Sequence, residues 1–154
     1  MWADDVLAAA MAEALAEADL AAAHEDVPVG AVLVAPDGTV VARGHNERER
    51  AQDPTAHAEI QALRAGARVR GCWRLQDLAL VVTLEPCAMC AGALVAARVP
   101  LVCFGADDPK AGAVRSLYRL CEDPRLNHRL SVVAGVRADE SRARLRAFFA
   151  PRRG

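Results

Sequence analysis

The sequence predicts an α/β sandwich on a largely parallel sheet. Three observations support this: a β-hairpin pattern near the start, strand-like runs alternating with helical periodicities after it, and a length of 154 residues, the size of one domain. Apolar residues make up 53% and charged residues 25%, an ordinary globular balance that excludes disordered, collagenous and mini-protein classes. There is no repeat, low-complexity linker or internal boundary, so the expectation is a single domain over 1–154.

Leu7, Met11, Ala14 and Ala18 recur at helical spacing, predicting an amphipathic helix over about 4–24. Val29 to Val34 is a strand-type run that stops at the turn signal Pro36-Asp37-Gly38 and resumes at Thr39-Val40-Val41. Asn46 to Pro54 is polar and loop-like. Asp53-Pro54-Thr55 supplies helix-start chemistry before Ala56-His57-Ala58-Glu59-Ile60, and that helix should reach about Arg70. Leu78 to Thr83 reads as a buried strand, Cys87 to Ala97 as a helix, and Val99 to Phe104 and Leu130 to Ala134 as further strands. A closing helix over about Asp139 to Phe149 places Leu145 and Phe149 on one face.

Charge is distributed as a gradient. The formal total is −1, yet residues 1–28 carry seven acids and no Lys or Arg, whereas residues 110–154 carry eleven basic groups against four acids. A basic final third can attract a polyanion from a nearly neutral chain. Only one of the 19 basic residues is lysine, so arginine-rich coding bias is the plain alternative. No apolar run approaches the roughly 18 residues of a membrane span. Met1-Trp2-Ala3-Asp4-Asp5 is acidic where a signal peptide is basic, and five cysteines cannot pair completely. The expectation is a reduced, cytoplasmic protein away from the membrane, with Cys72, Cys103 and Cys121 as buried thiols.

Two short segments carry the chemistry: His57-Ala58-Glu59 at one helix start and Pro86-Cys87-Ala88-Met89-Cys90 at another. Cysteines three apart share a helix face, so their sulfurs can converge on one ion. A helix N-terminus favours thiolates, the metal-binding form, and Pro86 sacrifices no needed amide there. Two thiolates and an imidazole suit zinc, and three protein ligands leave a fourth position open. The plain alternative is that both cysteines are small core residues. Glu59 would make such a site catalytic, since a carboxylate beside an activated water can move its proton. Residues two apart on a regular helix point about 200° apart, so spacing alone leaves the convergence of His57 and Glu59 open. A first-turn acid that only complements the helix dipole is the alternative.

These segments carry the H-x-E…P-C-x-x-C signature, and the chain resembles the zinc-dependent cytidine/deoxycytidylate deaminase superfamily. Within it the text is most similar to the bacterial tRNA-specific adenosine deaminase branch. The resemblance runs through Val27-Pro28-Val29-Gly30-Ala31-Val32, Asn46, Asp53 to Ile60, Thr83 to Ala93 and Phe104-Gly105-Ala106. The tRNA branch is carried by Lys110-Ala111-Gly112-Ala113, Ser116-Leu117, Asn127-His128-Arg129 and Phe148-Phe149. The resemblance implies a three-layer α/β/α sandwich with a central mixed sheet of about five strands and helices on both faces. It implies one Zn2+ per chain on His57, Cys87 and Cys90, with Glu59 as proton shuttle. Asn46 would contact the flipped adenosine, the Ala58 amide would steady the oxygen added at C6, and Asp108 would lie beside the substrate strand. The implied partner is a tRNA anticodon stem-loop, the implied assembly a homodimer, and the reaction adenosine to inosine at the wobble position. Guanine deaminase, and a zinc-stabilised RNA-binding module without turnover, are the rival readings.

Overall fold

A computed structural model describes residues 1–153, the Arg153 side chain excepted. Helix α1 (Asp4–Ala23) leads into strands β1 (Gly30–Val34) and β2 (Val40–His45). A single helical turn, α2 (Arg48–Ala51), precedes α3 (Ala58–Arg70), β3 (Ala79–Leu84), α4 (Ala88–Ala96), β4 (Leu101–Ala106), β5 (Ser131–Ala134) and α5 (Ala138–Phe149). The elements foreseen from periodicity are present with ends shifted by a few residues. The turn α2, in the polar stretch 46–54, had no apolar period to announce it.

The five strands form one sheet in the order β2-β1-β3-β4-β5. β1 runs antiparallel to both β2 and β3, while β3, β4 and β5 are mutually parallel. The sheet is therefore mixed, and less parallel than the strand–helix alternation by itself suggests. The reason is connectivity: α3 carries the chain from β2 over β1 to β3, so β2 and β3 share a direction and β1 lies reversed between them.

Alternation along the strands divides the core into two layers. Val32, Val34, Ala79, Val81 and Cys103 face α1, whose Leu7, Met11, Ala14 and Leu15 cover them. Ala31, Leu33, Leu80, Val82 and Phe104 face the opposite side, where Ala58, Ala62 and Leu63 of α3 and Ala91, Leu94 and Val95 of α4 close the second layer. Helix α5 packs beside α1 and over β4. The result is the α/β/α sandwich with helices on both faces. α3 approaches β2 so closely that a Cβ at Gly44 would stand 2.5 Å from the Ala58 carbonyl oxygen, so only glycine fits there.

Cys103 and Cys121 are buried as expected, and burial pushes both thiols up to about 12. Cys72 is exposed instead. It follows Gly71, whose left-handed φ of 63° ends α3 and turns the chain to the surface. Among the described residues, no helix is long and apolar enough to cross a membrane.

Candidate active site

The two motif segments meet because two helices begin at the same end of the sheet. His57 is the residue just before α3 and Cys87 the residue just before α4, both with extended backbone (ψ 154° and 179°). Neither obeys helical angular spacing, so the separation of about 200° between positions 57 and 59 does not arise. His57 leaves the helix axis while Glu59, in the first turn, turns inward. Cys90, the third residue of α4, lies in its first turn.

His57 Nδ1 lies 3.7 Å from Cys87 Sγ and 3.6 Å from Cys90 Sγ. One ligand atom from each of the three falls within 4.8 Å of the others. The Cys87 thiol is pulled down to about 3, first by its hydrogen bond with the Cys90 thiol and then by His57. The Cys90 thiol is pushed up by the same contact and by burial. His57 is raised chiefly by its bond to Cys87. A thiolate, a thiol and an imidazole are thus crowded around shared protons, a set that a divalent cation relieves by displacing them. The donors are those of zinc, which fits the residues present.

Glu59 is 4% exposed and lines the cavity in front of this cluster. Burial raises its carboxyl to about 7. Glu59 is still a first-turn acid of α3, but one desolvated at the cavity, where its carboxyl is available for proton transfer. The cavity encloses about 500 Å³ and brings together His57, Glu59, Cys87, Asn46 and Asp108, with Leu145 and Phe149 of α5 as an apolar wall. Leu145 and Phe149 share a face as their spacing predicts, but that face borders the cavity rather than the core.

Asn46 is 6% exposed and held at both ends. Its Nδ2 donates to the Val27 carbonyl at 3.1 Å, and its Oδ1 accepts from the Ala58 amide at 2.9 Å. It is therefore no ordinary turn residue. The Ala58 N–H, expected to donate to the reacting oxygen, is already committed to Asn46; the first amide of α3 serves to fix the neighbouring loop. Asp108 Oδ1 accepts from the amides of Lys110 and Ala111 at 3.1 and 3.2 Å, which curls its own loop while its side chain borders the cavity.

Sequence reasoning assigned no role to Glu85. Its side chain, in a residue only 2% exposed, accepts from the amides of Asp108 (3.0 Å), Val114 (3.2 Å), Arg115 (2.8 Å) and Ser116 (2.9 Å), and from the Ser116 hydroxyl. A Cβ at Gly112 would overlap this carboxylate, so the loop wraps it directly. Burial alone would raise the Glu85 carboxyl, but the bonds from Asp108, Ser116 and Arg115 outweigh it and hold the group below its ordinary value. The available signal was an acid directly after a largely apolar strand.

The basic final third is largely neutralised within the chain. Arg144 pairs with Asp19 of α1 at 2.8 Å and Arg152 with Glu25, just after α1, at 2.7 Å, tying α5 and the segment after it to the acidic start of the chain. Arg115 and Arg119 meet Glu122, Arg125 meets Asp123, Arg137 meets Glu140, and Arg142 meets Asp107 and Asp139. Among the described residues, Lys110, Arg129 and Arg146 form no ion pair. Phe148 and Phe149 stack edge to face at 5.2 Å, and neither enters the core.

The family described as the cytidine and deoxycytidylate deaminase zinc-binding region matches residues 5–106. A tRNA-specific adenosine deaminase of Bacillus subtilis (strain 168) is 48% identical over 139 residues, covering 90% of this chain and 86% of the relative. A solved structure from work on A-to-I editing by tRNA:A34 deaminases at the wobble position superposes with a TM-score of 0.85 at 44% identity, over 89% of this chain and 99% of that one. The guanine deaminase of Bacillus subtilis superposes with a TM-score of 0.61 at 38% identity, over 64% of this chain and 63% of its own.

Proposed function

This chain belongs to the cytidine and deoxycytidylate deaminase zinc-binding family, and from that premise we propose that it deaminates adenosine to inosine at the wobble position of a tRNA anticodon. The observation that carries the chemistry is the buried Glu59 carboxylate facing the same cavity as His57 and Cys87. A metal-stabilised binding module has no use for a desolvated acid at that point. The relatives support the choice of substrate by identity: 48% and 44% to tRNA deaminases over about nine tenths of the chain, against 38% over 64% of it for one guanine deaminase and 23% over 97% for another, a level that shows the fold alone.

His57, Cys87 and Cys90 hold the zinc in this reading. Zinc, when bound, supplies the Lewis acidity that makes water a nucleophile near neutral pH. Glu59 takes a proton from the attacking water as its oxygen bonds to C6 of adenine. The same carboxyl passes that proton to N1, then takes the proton remaining on the new C6 hydroxyl and gives it to the N6 amine, so that the C6–N6 bond breaks, ammonia leaves and the C6 oxygen becomes the carbonyl. Asn46 faces the flipped nucleoside, its position fixed through Val27 and Ala58. The Ala58 amide reaches the reacting oxygen only by sharing the proton it gives Asn46. Asp108 stands at the cavity edge toward the substrate strand, and Lys110 beside it offers a phosphate contact. An anticodon loop presents an already unstacked base, which lowers the few kcal/mol that flipping costs in a duplex.

We read 1–154 as one deaminase domain, a reading supported by a single sheet that collects all five strands. A homodimer is supported by an apolar groove between α3 and α4, lined by Ile60, Leu63, Ala93, Ala97 and the exposed Trp73. Light scattering of the purified protein tests it. The free cysteines and a tRNA substrate support a cytoplasmic enzyme. The deciding experiment is incubation with an anticodon stem-loop carrying a wobble adenosine, with free guanine in parallel. Inosine in the RNA supports the proposal; xanthine from guanine with unchanged RNA overturns it.

A further inference from the structure

A second group of potential ligands lies outside the active-site cavity. His24, at the end of α1, His45, at the end of β2, and Glu47, just before α2, each place a ligand atom within 4.8 Å of the others. The two imidazole rings stand 5.2 Å apart at 48°. Both ring nitrogens of His24 and Nε2 of His45 are buried and have no hydrogen-bond partner among the described residues. Buried polar nitrogens left unpaired are unfavourable, so their presence calls for a partner.

The surroundings orient two of these side chains as ligands. His45 Nδ1 sits 2.9 Å from Glu17 Oε1, a contact that holds the ring proton on Nδ1 and leaves the Nε2 lone pair outward. Glu47 is held from behind in the same way: its Oε2 accepts from Gln61 Nε2 at 2.8 Å, while its Oε1 stands 3.5 Å from His45 Nε2. With Nδ1 protonated, a nitrogen lone pair and a carboxylate oxygen face each other, and a positive charge between them, a metal ion or a proton on Nε2, reconciles them. A carboxylate behind a ligating histidine is the usual outer support of a metal site.

We propose that His24, His45 and Glu47 form a second metal site, for a divalent first-row cation that accepts nitrogen and oxygen donors, with zinc as the representative ion. The site ties the end of α1 to the loop that carries Asn46, since His45 and Glu47 are the neighbours of Asn46 on either side. Its thiolate-free donor set separates it chemically from the His57–Cys87–Cys90 centre, and it does not depend on which base the enzyme deaminates.

The test is equilibrium dialysis of untagged, zinc-loaded protein against micromolar Zn2+, with metal counted per chain. Wild type should take up a second equivalent, and His24→Gln should keep the first and lose the second. Glu17→Gln, which removes only the outer carboxylate, should weaken the second equivalent by about 10–100-fold. Co2+ as a parallel probe should add weak ligand-field absorption without new thiolate charge transfer. Uptake that stops at one equivalent in wild type overturns the proposal; it is the result expected if a protonated His45 bridges Glu17 and Glu47 instead. Equal uptake by wild type and His24→Gln overturns it as well.

Discussion

Two walls of the active-site cavity are built on different principles. The ligand wall, His57 to Glu59 and Cys87 to Cys90, is made by two helix starts whose packing against the sheet fixes the donors directly. The loop wall, Asp108 to Ser116, lacks regular structure and is gathered around the single carboxylate of Glu85. One wall owes its shape to burial of apolar area, the other to the cost of leaving a buried charge without donors. In the proposed reaction the proton chemistry falls on the ligand wall, and the Asp108 and Lys110 contacts fall on the wall that a few hydrogen bonds define.

Damage to the two walls should register differently. On the ligand wall, Cys87→Ser should lose most zinc and with it turnover, whereas exposed Cys72→Ser should retain both; elemental analysis of the two proteins decides. Equal retention would remove Cys87 from the ligand set. Glu59→Ala should keep zinc and fold yet lose about 10²–10⁴-fold in turnover, the usual worth of a general acid–base group. Metal content and single-turnover rates on a stem-loop read this together.

On the loop wall, Glu85→Gln should keep zinc but cost about 3 kcal/mol in stability, because several amides lose their acceptor. For a chain of this length that lowers Tm by about 10 °C. KM for the stem-loop should rise more than kcat falls, since the variant loosens a loop rather than the proton path. The pH dependence has a definite sign. The Glu85 carboxyl is held below its ordinary 4.5 in the fold, so its contribution is complete above that value. The contribution is lost as pH falls through the depressed folded value. Wild-type stability should drop in this acid range, and Glu85→Gln should show a flatter profile in thermal melts.

The smallest effects belong to the charged surface around both walls. Lys110→Ala should reduce the salt slope of stem-loop binding by about one, as expected for one phosphate contact. Arg152→Ala should alter it less, because Arg152 is engaged with Glu25, and an exposed pair of this kind is worth about 0–1 kcal/mol. A larger change for Arg152 than for Lys110 would place the RNA on the α5 side rather than at the cavity mouth.

The sequence by itself determined the elements and the chemistry that short spacing encodes. Periodicity located the helices and strands because burial of one face imposes it, and the cysteines three apart announced a shared helix face. The H-x-E spacing, in contrast, misdescribes its own geometry, since His57 lies just outside α3 where helical angles do not apply. Tertiary structure alone decided what depends on partners distant along the chain. Glu85 meets its donors 23 to 31 residues away, and Ala58 spends its amide on Asn46. The acidic start and basic end of the chain, which looked like a polyanion-binding gradient, partly cancel through Asp19–Arg144 and Glu25–Arg152. A charge or a hydrogen-bonding group in a sequence states only what must be satisfied; which partner satisfies it is fixed when packing brings remote segments together.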